Sequence, residues 1–186
     1  MGYKLSILIC SLESRRALCN NLKLQLKEQK NEAVEVIIYE DKGELSIGDK
    51  RNKLLKRAKG EYVCFIDDDD EVSKNYIELV LEGIKLGVDC CSLRGVITWD
   101  GSNSEIFEHS IKYDEYKTND TGAIRYERYP NHLNVIKASI AKQFNFPELN
   151  HGEDTDWATQ IKESGLIKTE HYIDAVTYHY KFISNK

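Results

Sequence analysis

Four consecutive aspartates, Asp67, Asp68, Asp69 and Asp70, follow directly on the apolar residues 62–66. That stretch is short and rich in β-branched and aromatic residues, which predicts a buried strand. Adjacent carboxylates repel one another, and a hard divalent cation such as Mg²⁺ or Mn²⁺ would relieve the repulsion. Ligands bind at the carboxyl ends of strands in open α/β sheets, so this aspartate tetrad is a candidate metal site.

The tetrad also has a simpler interpretation. Acidic residues are favourable at a helix start, and Glu71 and Ser73 suit the first turn of the helix that the next residues predict. The tetrad would then be a solvated cap with no ligand. The four residues alone do not separate the two interpretations, so the elements around them have to be considered.

The first half of the chain alternates between strand and helix patterns. Leu18, Leu22 and Leu26 recur at helical spacing. We predict strands over residues 5–10, 34–39 and 62–66, and helices over 15–29, 49–58 and 73–86. This alternation predicts an α/β fold with a mainly parallel sheet and helices on both of its faces.

The second half has a different pattern. Residues 90–99 and 105–111 flank Asp100-Gly101, a dipeptide typical of a tight hairpin turn. Residues 112–131 are polar and tyrosine-rich without a period, which predicts a long surface loop. A helix start at 151–154 and a strand near a sheet edge at 173–183 complete a mixed or antiparallel C-terminal part. The sequence shows no repeat or linker, so we expect a single domain over 1–186.

Composition narrows the class of protein. A chain of 186 residues suffices for one α/β domain with a substantial core, and 26 basic against 31 acidic residues argue against a large phosphate-tracking surface. No apolar run approaches the roughly 20 residues that cross a bilayer, and the first residues lack the features of a signal peptide. The five cysteines have no CxxC or zinc-ligand spacing. Buried free thiols in the cytosol explain them best.

Several motifs, taken in order, resemble family 2-like nucleotide-sugar glycosyltransferases with a GT-A fold. They are the opening strand 5–11, Arg15 after it, the acidic turn 40–43, the segments 48–52 and 58–62, the Asp-x-Asp motif in 65–70, and Gly152-Glu153-Asp154-Thr155-Asp156-Trp157. Their shared order and spacing make the resemblance specific. It implies a nucleotide-sugar-binding half over 1–98 and an acceptor-side half over 99–186. Cys10 replaces the family's usual proline, and the acidic turn lacks the common Asp-Gly-Ser.

The resemblance implies roles for the donor-side residues. Asp67 and Asp69 match the family's register for binding Mn²⁺ or Mg²⁺, and Asp68 with Asp70 is the competing pair. The residues expected to contact the donor are Ser11, Asp41, Arg51, Asp67 and Asp68. The alternative for Asp41 is a turn carboxylate, and for Arg51 a solvated helix residue.

The resemblance also implies catalytic residues at the second acidic cluster. Asp154 is the expected general base, because an inverting transfer needs one carboxylate to accept the proton of the acceptor hydroxyl. Glu153 would orient the acceptor or the base. The alternative is that these acids, with Asp156, only stabilise the helix start, at roughly 0.3–1 kcal/mol each.

Histidines and tryptophans contribute weaker expectations. His179 is a candidate third metal ligand, against the simpler interpretation of a packed strand residue. His132 could line the acceptor pocket. Trp99 and Trp157 could stack on a sugar face, although core packing is the more common role of such residues.

The expected function is therefore a metal-dependent, inverting transfer of a sugar from a nucleoside diphosphate sugar, with UDP-sugar favoured. The acceptor would be a glycan, a lipid-linked sugar, a small molecule or hydroxymethylated bases in phage DNA. A nucleotidyltransferase is an alternative, but residues 11–16 lack the glycine-rich loop expected of one. A nucleotide- or metal-binding module without catalysis is the remaining alternative. The sequence leaves the oligomeric state open.

Overall fold

The computed structural model describes residues 2–184 of the chain. Its elements are β1 (Leu5–Leu12), a 3-10 turn (Glu13–Arg15), α1 (Arg16–Gln29), β2 (Val34–Asp41), α2 (Ile47–Arg57), β3 (Tyr62–Phe65), β4 (Glu71–Val72), α3 (Tyr76–Lys85), β5 (Cys90–Cys91), β6 (Leu93–Trp99), β7 (Ser102–His109), β8 (Lys117–Thr118), β9 (Tyr126–Arg128), β10 (Ile136–Lys137), α4 (Ala138–Ala141), α5 (Glu153–Ser164), β11 (Glu170–His171) and β12 (Val176–Phe182). The strands form two sheets of six.

The first sheet has the strand order β11-β5-β10-β3-β1-β2. β1 pairs in parallel with both β2 and β3, whereas β10 runs antiparallel to its neighbours β3 and β5. The expectation of a mainly parallel α/β sheet is therefore confirmed. The short strand β10 brings residues of the second half of the chain to the middle of this sheet.

Helices cover both faces of the first sheet, as predicted. Alternate side chains of β1 point to opposite faces, so Ile7 packs with residues of α1 and α3 while Leu8 packs with residues of α2 and α5. Both side chains are fully buried. Between these two layers the carboxyl ends of β1 and β3 share one edge, which positions the residues that follow them.

The second sheet has the order β4-β12-β6-β7-β9-β8. The hairpin of β6 and β7 turns at Asp100 and Gly101, whose φ angles of 49° and 76° are those that a tight hairpin turn requires. The hairpin prediction is confirmed. β12 pairs in parallel with β6 and contacts β4 over only two residue pairs, so it is close to the predicted edge position.

One expectation was wrong in part. Residues 112–131 are not wholly a surface loop, because β8 and β9 lie within them and β9 pairs in parallel with β7. Both strands are two or three residues long, too short to show a strand period in the sequence.

All five cysteines are free, and all but Cys10 are buried. Among residues 2–184, no helix combines the length and apolar character needed to cross a membrane.

Candidate functional site

The aspartate tetrad lies where β3 ends, and its two alternate members Asp68 and Asp70 point into the protein. Asp68 accepts a hydrogen bond of 2.7 Å from the Ser11 hydroxyl at the end of β1. Asp70 accepts hydrogen bonds from the Tyr178 hydroxyl at 2.8 Å and from the backbone N–H of Lys181 at 2.9 Å. Both carboxylates are buried. One strand of each sheet, β1 of the first and β12 of the second, thus holds the tetrad by hydrogen bonds.

Two carboxyl groups of the tetrad, those of Asp67 and Asp70, have pKa values shifted in opposite directions. Burial, with the charge of Asp67 nearby, raises the pKa of Asp70 to about 7. Burial also opposes ionisation of Asp67, but its contact with His132 and the charge of Arg51 hold the pKa of Asp67 well below its usual range. The raised pKa of Asp70 favours its protonated form, which reduces the repulsion expected from four adjacent carboxylates.

Asp67 and Asp69 face a cavity of about 750 Å³, here called the first cavity. Residues that line it include Ser11, Arg15, Lys50, Arg51, Asp67, Asp68, Asp69 and Tyr180. Nη2 of Arg15 lies 2.5 Å from Oδ2 of Asp69 and 2.7 Å from Oδ1 of Asp68. Asp70 does not line this cavity. The geometry therefore distinguishes the pair Asp67 and Asp69 from the competing pair Asp68 and Asp70.

The donor set at the first cavity fits a cation that is shared with a ligand. Carboxylate oxygens suit Mg²⁺ and Mn²⁺, and Mg²⁺ is commonly held by one or two carboxylates together with substrate phosphates and water. Within residues 2–184, no three histidine, cysteine, aspartate or glutamate side chains form a ready-made metal cluster. Asp67 and Asp69 are the residues of this cavity that would hold such a cation.

Arg51 on α2 connects the tetrad to α5. Its guanidinium forms ion pairs with Asp67 at 3.3 Å and with Glu153 at 3.0 Å, and it lies 5.5 Å from the ring centroids of Phe65 and Phe146. Arg51 and Glu153 are both buried. Because a buried charge is costly without a partner, these three side chains hold one another in place.

Asp154 and His132 line a second cavity of about 520 Å³. The side chain of Asp154 is 31 % exposed, and its Oδ2 lies 3.5 Å from Nδ1 of His132. The opposite ring nitrogen of His132, Nε2, lies 3.7 Å from Oδ2 of Asp67. His132 is buried, and neither ring nitrogen has a hydrogen-bond partner among the described residues. The imidazole therefore lies between the tetrad and the start of α5.

The first and second cavities are adjacent. Both are lined by Ile47, Arg51, Asp67, Asn150, His151 and Tyr180. Asp67 thus faces both spaces, and its side chain is 34 % exposed. A ligand in the first cavity and another in the second would meet at Asp67.

Asp41 has a different position from the one the resemblance implied. Its carboxylate accepts hydrogen bonds from the backbone N–H groups of Gly43 and Leu45, each at 3.1 Å, and from Lys50 at 2.5 Å. Burial opposes its ionisation, but Lys50 and these two N–H groups lower its pKa. Asp41 does not line the first cavity, whereas Gly43, Leu45 and Lys50 do. This arrangement agrees with the alternative of a turn carboxylate.

His179 is not brought to the tetrad. Its Nε2 lies 3.0 Å from Oγ1 of Thr98 and its Nδ1 lies 3.7 Å from Glu71, and it lines neither cavity. Successive side chains of a strand point to opposite faces, so Tyr178 reaches Asp70 while His179 points away. This geometry gives no support to the expected metal-ligating role of His179.

Several site residues were not singled out from the sequence. They are Lys50, Tyr178 and Tyr180 beside the tetrad, and Tyr126 and Arg128 from the second sheet. Trp157, by contrast, is a core residue that stacks on Phe146 with 4.7 Å between ring centroids. Lys50 lies in the motif 48–52 but has no role of its own there, and the other four belong to no motif, so only their three-dimensional neighbourhood marks these residues.

The first sheet is mainly parallel, and acidic residues follow its strand β3. A second group of acidic residues, at the start of α5, faces the same cleft. This arrangement is that of the GT-A glycosyltransferase folds. Residues 20–146 match the family model Glycosyl transferase family 2, and the chain belongs to that family. It is 32 % identical over 111 residues to the putative teichuronic acid biosynthesis glycosyltransferase TuaG of Bacillus subtilis, covering 57 % of this chain and 41 % of TuaG.

Other comparisons agree with this assignment. The putative glycosyltransferase EpsH of B. subtilis is 26 % identical over 156 residues, covering 78 % of this chain and 44 % of EpsH. The chain thus spans less than half the length of both curated relatives. The crystal structure of S. aureus TarS 1–349 has a TM-score of 0.71 at 18 % identity, over 96 % of this chain and 60 % of TarS 1–349. The crystal structure of TarS 1–349 in complex with UDP-GlcNAc also has a TM-score of 0.71. The sequence identity is 16 %, over 98 % of this chain and 60 % of TarS 1–349. These likenesses show the fold.

Proposed function

We propose that the protein transfers a sugar from a nucleoside diphosphate sugar to a hydroxyl-bearing acceptor, with inversion and with a divalent cation. One observation carries the proposal: the first and second cavities share Asp67 and Arg51, so a donor beside the tetrad and an acceptor beside Asp154 would be in contact. Proximity of two reactants in a fixed orientation is a major part of catalysis. Both halves of the chain contribute to this cleft, which supports one domain over 1–186.

The donor would occupy the first cavity. Asp67 and Asp69 would hold Mg²⁺ or Mn²⁺, and that cation would neutralise the diphosphate as it leaves. Arg15, which lines the same cavity, is placed to donate hydrogen bonds to phosphate oxygens. Ser11 would act through Asp68, which it holds by a hydrogen bond. The choice of a UDP-sugar is supported by the shared fold with TarS, which was solved with UDP-GlcNAc.

The acceptor hydroxyl would enter the second cavity and give its proton to Asp154. Asp154 and Asp67 are partly exposed acids of that cavity, and Asp67 is assigned to the cation, whereas Glu153 is buried against Arg51. An inverting transfer requires a single base and no carboxylate nucleophile. Glu153 would therefore position Arg51 instead of contacting the acceptor. Asp41 would shape the loop that lines the first cavity through its hydrogen bonds to Gly43 and Leu45.

Thermal unfolding with nucleoside diphosphates, with and without Mn²⁺, tests the donor site. A ligand that binds only the folded protein raises the unfolding temperature. We expect a Mn²⁺-dependent rise with UDP that is lost in Asp69→Asn and kept in Glu82→Gln, a control at an exposed position on α3. Equal behaviour of Asp69→Asn and the wild type would remove Asp69 from the metal site. No rise with any nucleotide would contradict the donor proposal.

The base is tested by Asp154→Asn. We expect this variant to keep the UDP-dependent rise in unfolding temperature and to lose transfer by about 10²-fold or more. The matched control is Asp156→Asn, in the same first turn of α5, whose carboxylate only accepts a hydrogen bond from Gln160. Transfer at the wild-type rate by Asp154→Asn would show that another group is the base.

A further inference from the structure

Arg128 on β9 belongs to the wall that the second sheet gives to the second cavity. Ile97, Phe107, His109, Tyr126 and Tyr180 also belong to that wall. Both hydrogen bonds of Arg128 come from Nη1, to the backbone carbonyls of Lys117 at 3.2 Å and of Glu127 at 3.1 Å. Its guanidinium lies 4.7 Å from the ring centroid of Tyr116 and 5.5 Å from that of Tyr126.

No carboxylate of residues 2–184 forms an ion pair with Arg128. The other arginine of the second cavity, Arg51, is paired with Asp67 and Glu153. Arg128 is half-buried, and burial lowers its pKa, which means that its charge is incompletely compensated. The contacts with the two rings and the hydrogen bonds to two backbone carbonyls restrain the guanidinium, so less side-chain entropy remains to be lost on binding.

We propose that Arg128 binds an anionic group of the acceptor, a phosphate or a carboxylate, and so selects acidic acceptors. The inference rests on the proposed function and names the chemistry of its acceptor. The planar fork of arginine matches the paired oxygens of either group. The second cavity, at about 520 Å³, has room for one sugar ring with such a substituent.

The charges of the second cavity also orient such an acceptor. Asp67 and Asp154 line the same space as Arg128. They repel the anionic end of the acceptor, and Arg128 attracts it, so the hydroxyl end is left beside Asp154. The arginine therefore contributes to which hydroxyl reacts as well as to which molecule binds.

The test compares three ligands, glucose, glucose 6-phosphate and glucuronate, by thermal unfolding in the presence of saturating UDP and Mg²⁺ at constant ionic strength. UDP fills the first cavity, so its phosphate-binding groups do not bind the added ligand. The proteins are the wild type, Arg128→Gln, Arg128→Lys and the control Arg125→Gln. Arg125 lies in the bend just before β9 but pairs with Glu105 and Asp120 and lines a separate cavity.

We expect the wild type and Arg125→Gln to bind at least one anionic ligand about tenfold more tightly than glucose, because a charge-assisted hydrogen bond contributes that much. Arg128→Gln should bind all three alike, and Arg128→Lys should keep part of the preference. Whether glucose 6-phosphate or glucuronate binds better identifies the anion. Equal binding of the three ligands by the wild type, or a preference that survives in Arg128→Gln, would overturn the proposal and leave Arg128 as a structural tie between β8 and β9.

The rise in unfolding temperature that UDP alone produces is measured in the same experiment. If UDP stabilises the wild type but no anionic preference is found, the acceptor inference fails and the donor proposal stands. If UDP has no effect, the proposed function itself fails. The fold of Arg128→Gln is checked by the UDP-dependent rise, which depends on the first cavity.

Discussion

Oδ2 of Asp154 lies 3.5 Å from Nδ1 of His132, and the same imidazole reaches Asp67 with its other nitrogen. The turn that carries this ring is rigid. Phe65 at the end of β3 donates its backbone N–H to the His132 carbonyl at 2.8 Å, and the Asn131 side chain accepts from the N–H of Leu133 at 3.0 Å. The base of the proposed reaction is thus positioned by a residue that is hydrogen-bonded to the strand preceding the tetrad.

Two substitutions at His132 separate its two contacts. An asparagine amide nitrogen reaches the position of Nδ1, beside Asp154, and a glutamine amide nitrogen reaches that of Nε2, beside Asp67. We expect His132→Gln to lower kcat by about tenfold, with donor binding unchanged, since only Asp154 loses its neighbour. We expect His132→Asn to keep kcat within about threefold and to weaken donor binding. Steady-state kinetics measures kcat, and UDP-dependent thermal unfolding measures donor binding. The same loss in both variants would show a structural role only.

Tyr178 should contribute to stability and to metal binding together. Its hydroxyl donates to Asp70 at 2.8 Å and accepts from the Asp67 backbone N–H at 3.3 Å. Tyr178→Phe leaves a buried carboxyl group without that donor, and we expect a loss of about 1–3 kcal/mol of unfolding free energy. Urea denaturation measures the loss, and a Mn²⁺ titration should show weaker binding.

The control for Tyr178→Phe is Tyr76→Phe. Tyr76 is equally buried, but its hydroxyl contacts only the thiol of Cys64, at 3.4 Å. Tyr76→Phe should therefore keep Mn²⁺ binding at the wild-type level. If both variants weaken Mn²⁺ binding to the same extent, the link from Tyr178 to the tetrad is disproved.

Glu108 should make stability depend on pH. This fully buried carboxylate contacts Lys112 at 2.5 Å, Tyr172 at 2.6 Å and Tyr113 at 2.7 Å. Burial alone would raise its pKa, but these partners lower it from 4.5 to about 2. A carboxylate with a lowered folded-state pKa stabilises the protein above pH 4.5 and loses that contribution as the pH falls towards 2.

The variant Glu108→Gln removes this titration. We expect it to lose about 3 kcal/mol of unfolding free energy at pH 7 and to approach the wild type at pH 2–3. Urea denaturation between pH 7 and pH 2 measures the difference in unfolding free energy between the two proteins. If the difference in unfolding free energy between the wild type and Glu108→Gln is the same at every pH, titration of Glu108 is not its cause.

Gly48 should tolerate no side chain. A Cβ atom built on Gly48 would lie 1.8 Å from the backbone oxygen of Pro147. The backbone N–H of Gly48 donates a hydrogen bond to the Leu149 carbonyl at 3.0 Å. Gly48→Ala must therefore push α2 away from the segment before α5. We expect a loss of about 1–3 kcal/mol and lower transfer, because Arg51 moves with α2. Lys56→Ala, at an exposed position of α2, is the control. Wild-type stability of Gly48→Ala in urea would contradict this packing.

The elements that the sequence predicts well are those with a clear period or a strong turn. Helix α1 has leucines at helical spacing, and Asp100-Gly101 forms the hairpin turn between β6 and β7. Family motifs place the tetrad after β3 and Glu153 at the start of α5. In each case a local signal coincides with the tertiary structure.

The rest depends on contacts between distant residues. The strands β4, β5, β8, β10 and β11 have only two residues each, so the full extent of the two sheets had no local signal. Asp41 was assigned to the donor because nothing in the sequence shows that Lys50 and two N–H groups occupy its oxygens. The face on which His179 lies is set by the pairing of β12 with β6, and no local pattern in the sequence shows that pairing.

The bond between Tyr178 and Asp70 joins residues 108 positions apart, and this separation has a consequence for biosynthesis. A nascent chain that has already formed β1, β2 and β3 still lacks β12, so its acidic residues have neither Tyr178 nor the Lys181 backbone as partners. Joining such distant segments also carries the entropic cost of closing a long loop. The carboxyl group of Asp70 therefore gains these two partners only when β12 has joined the second sheet.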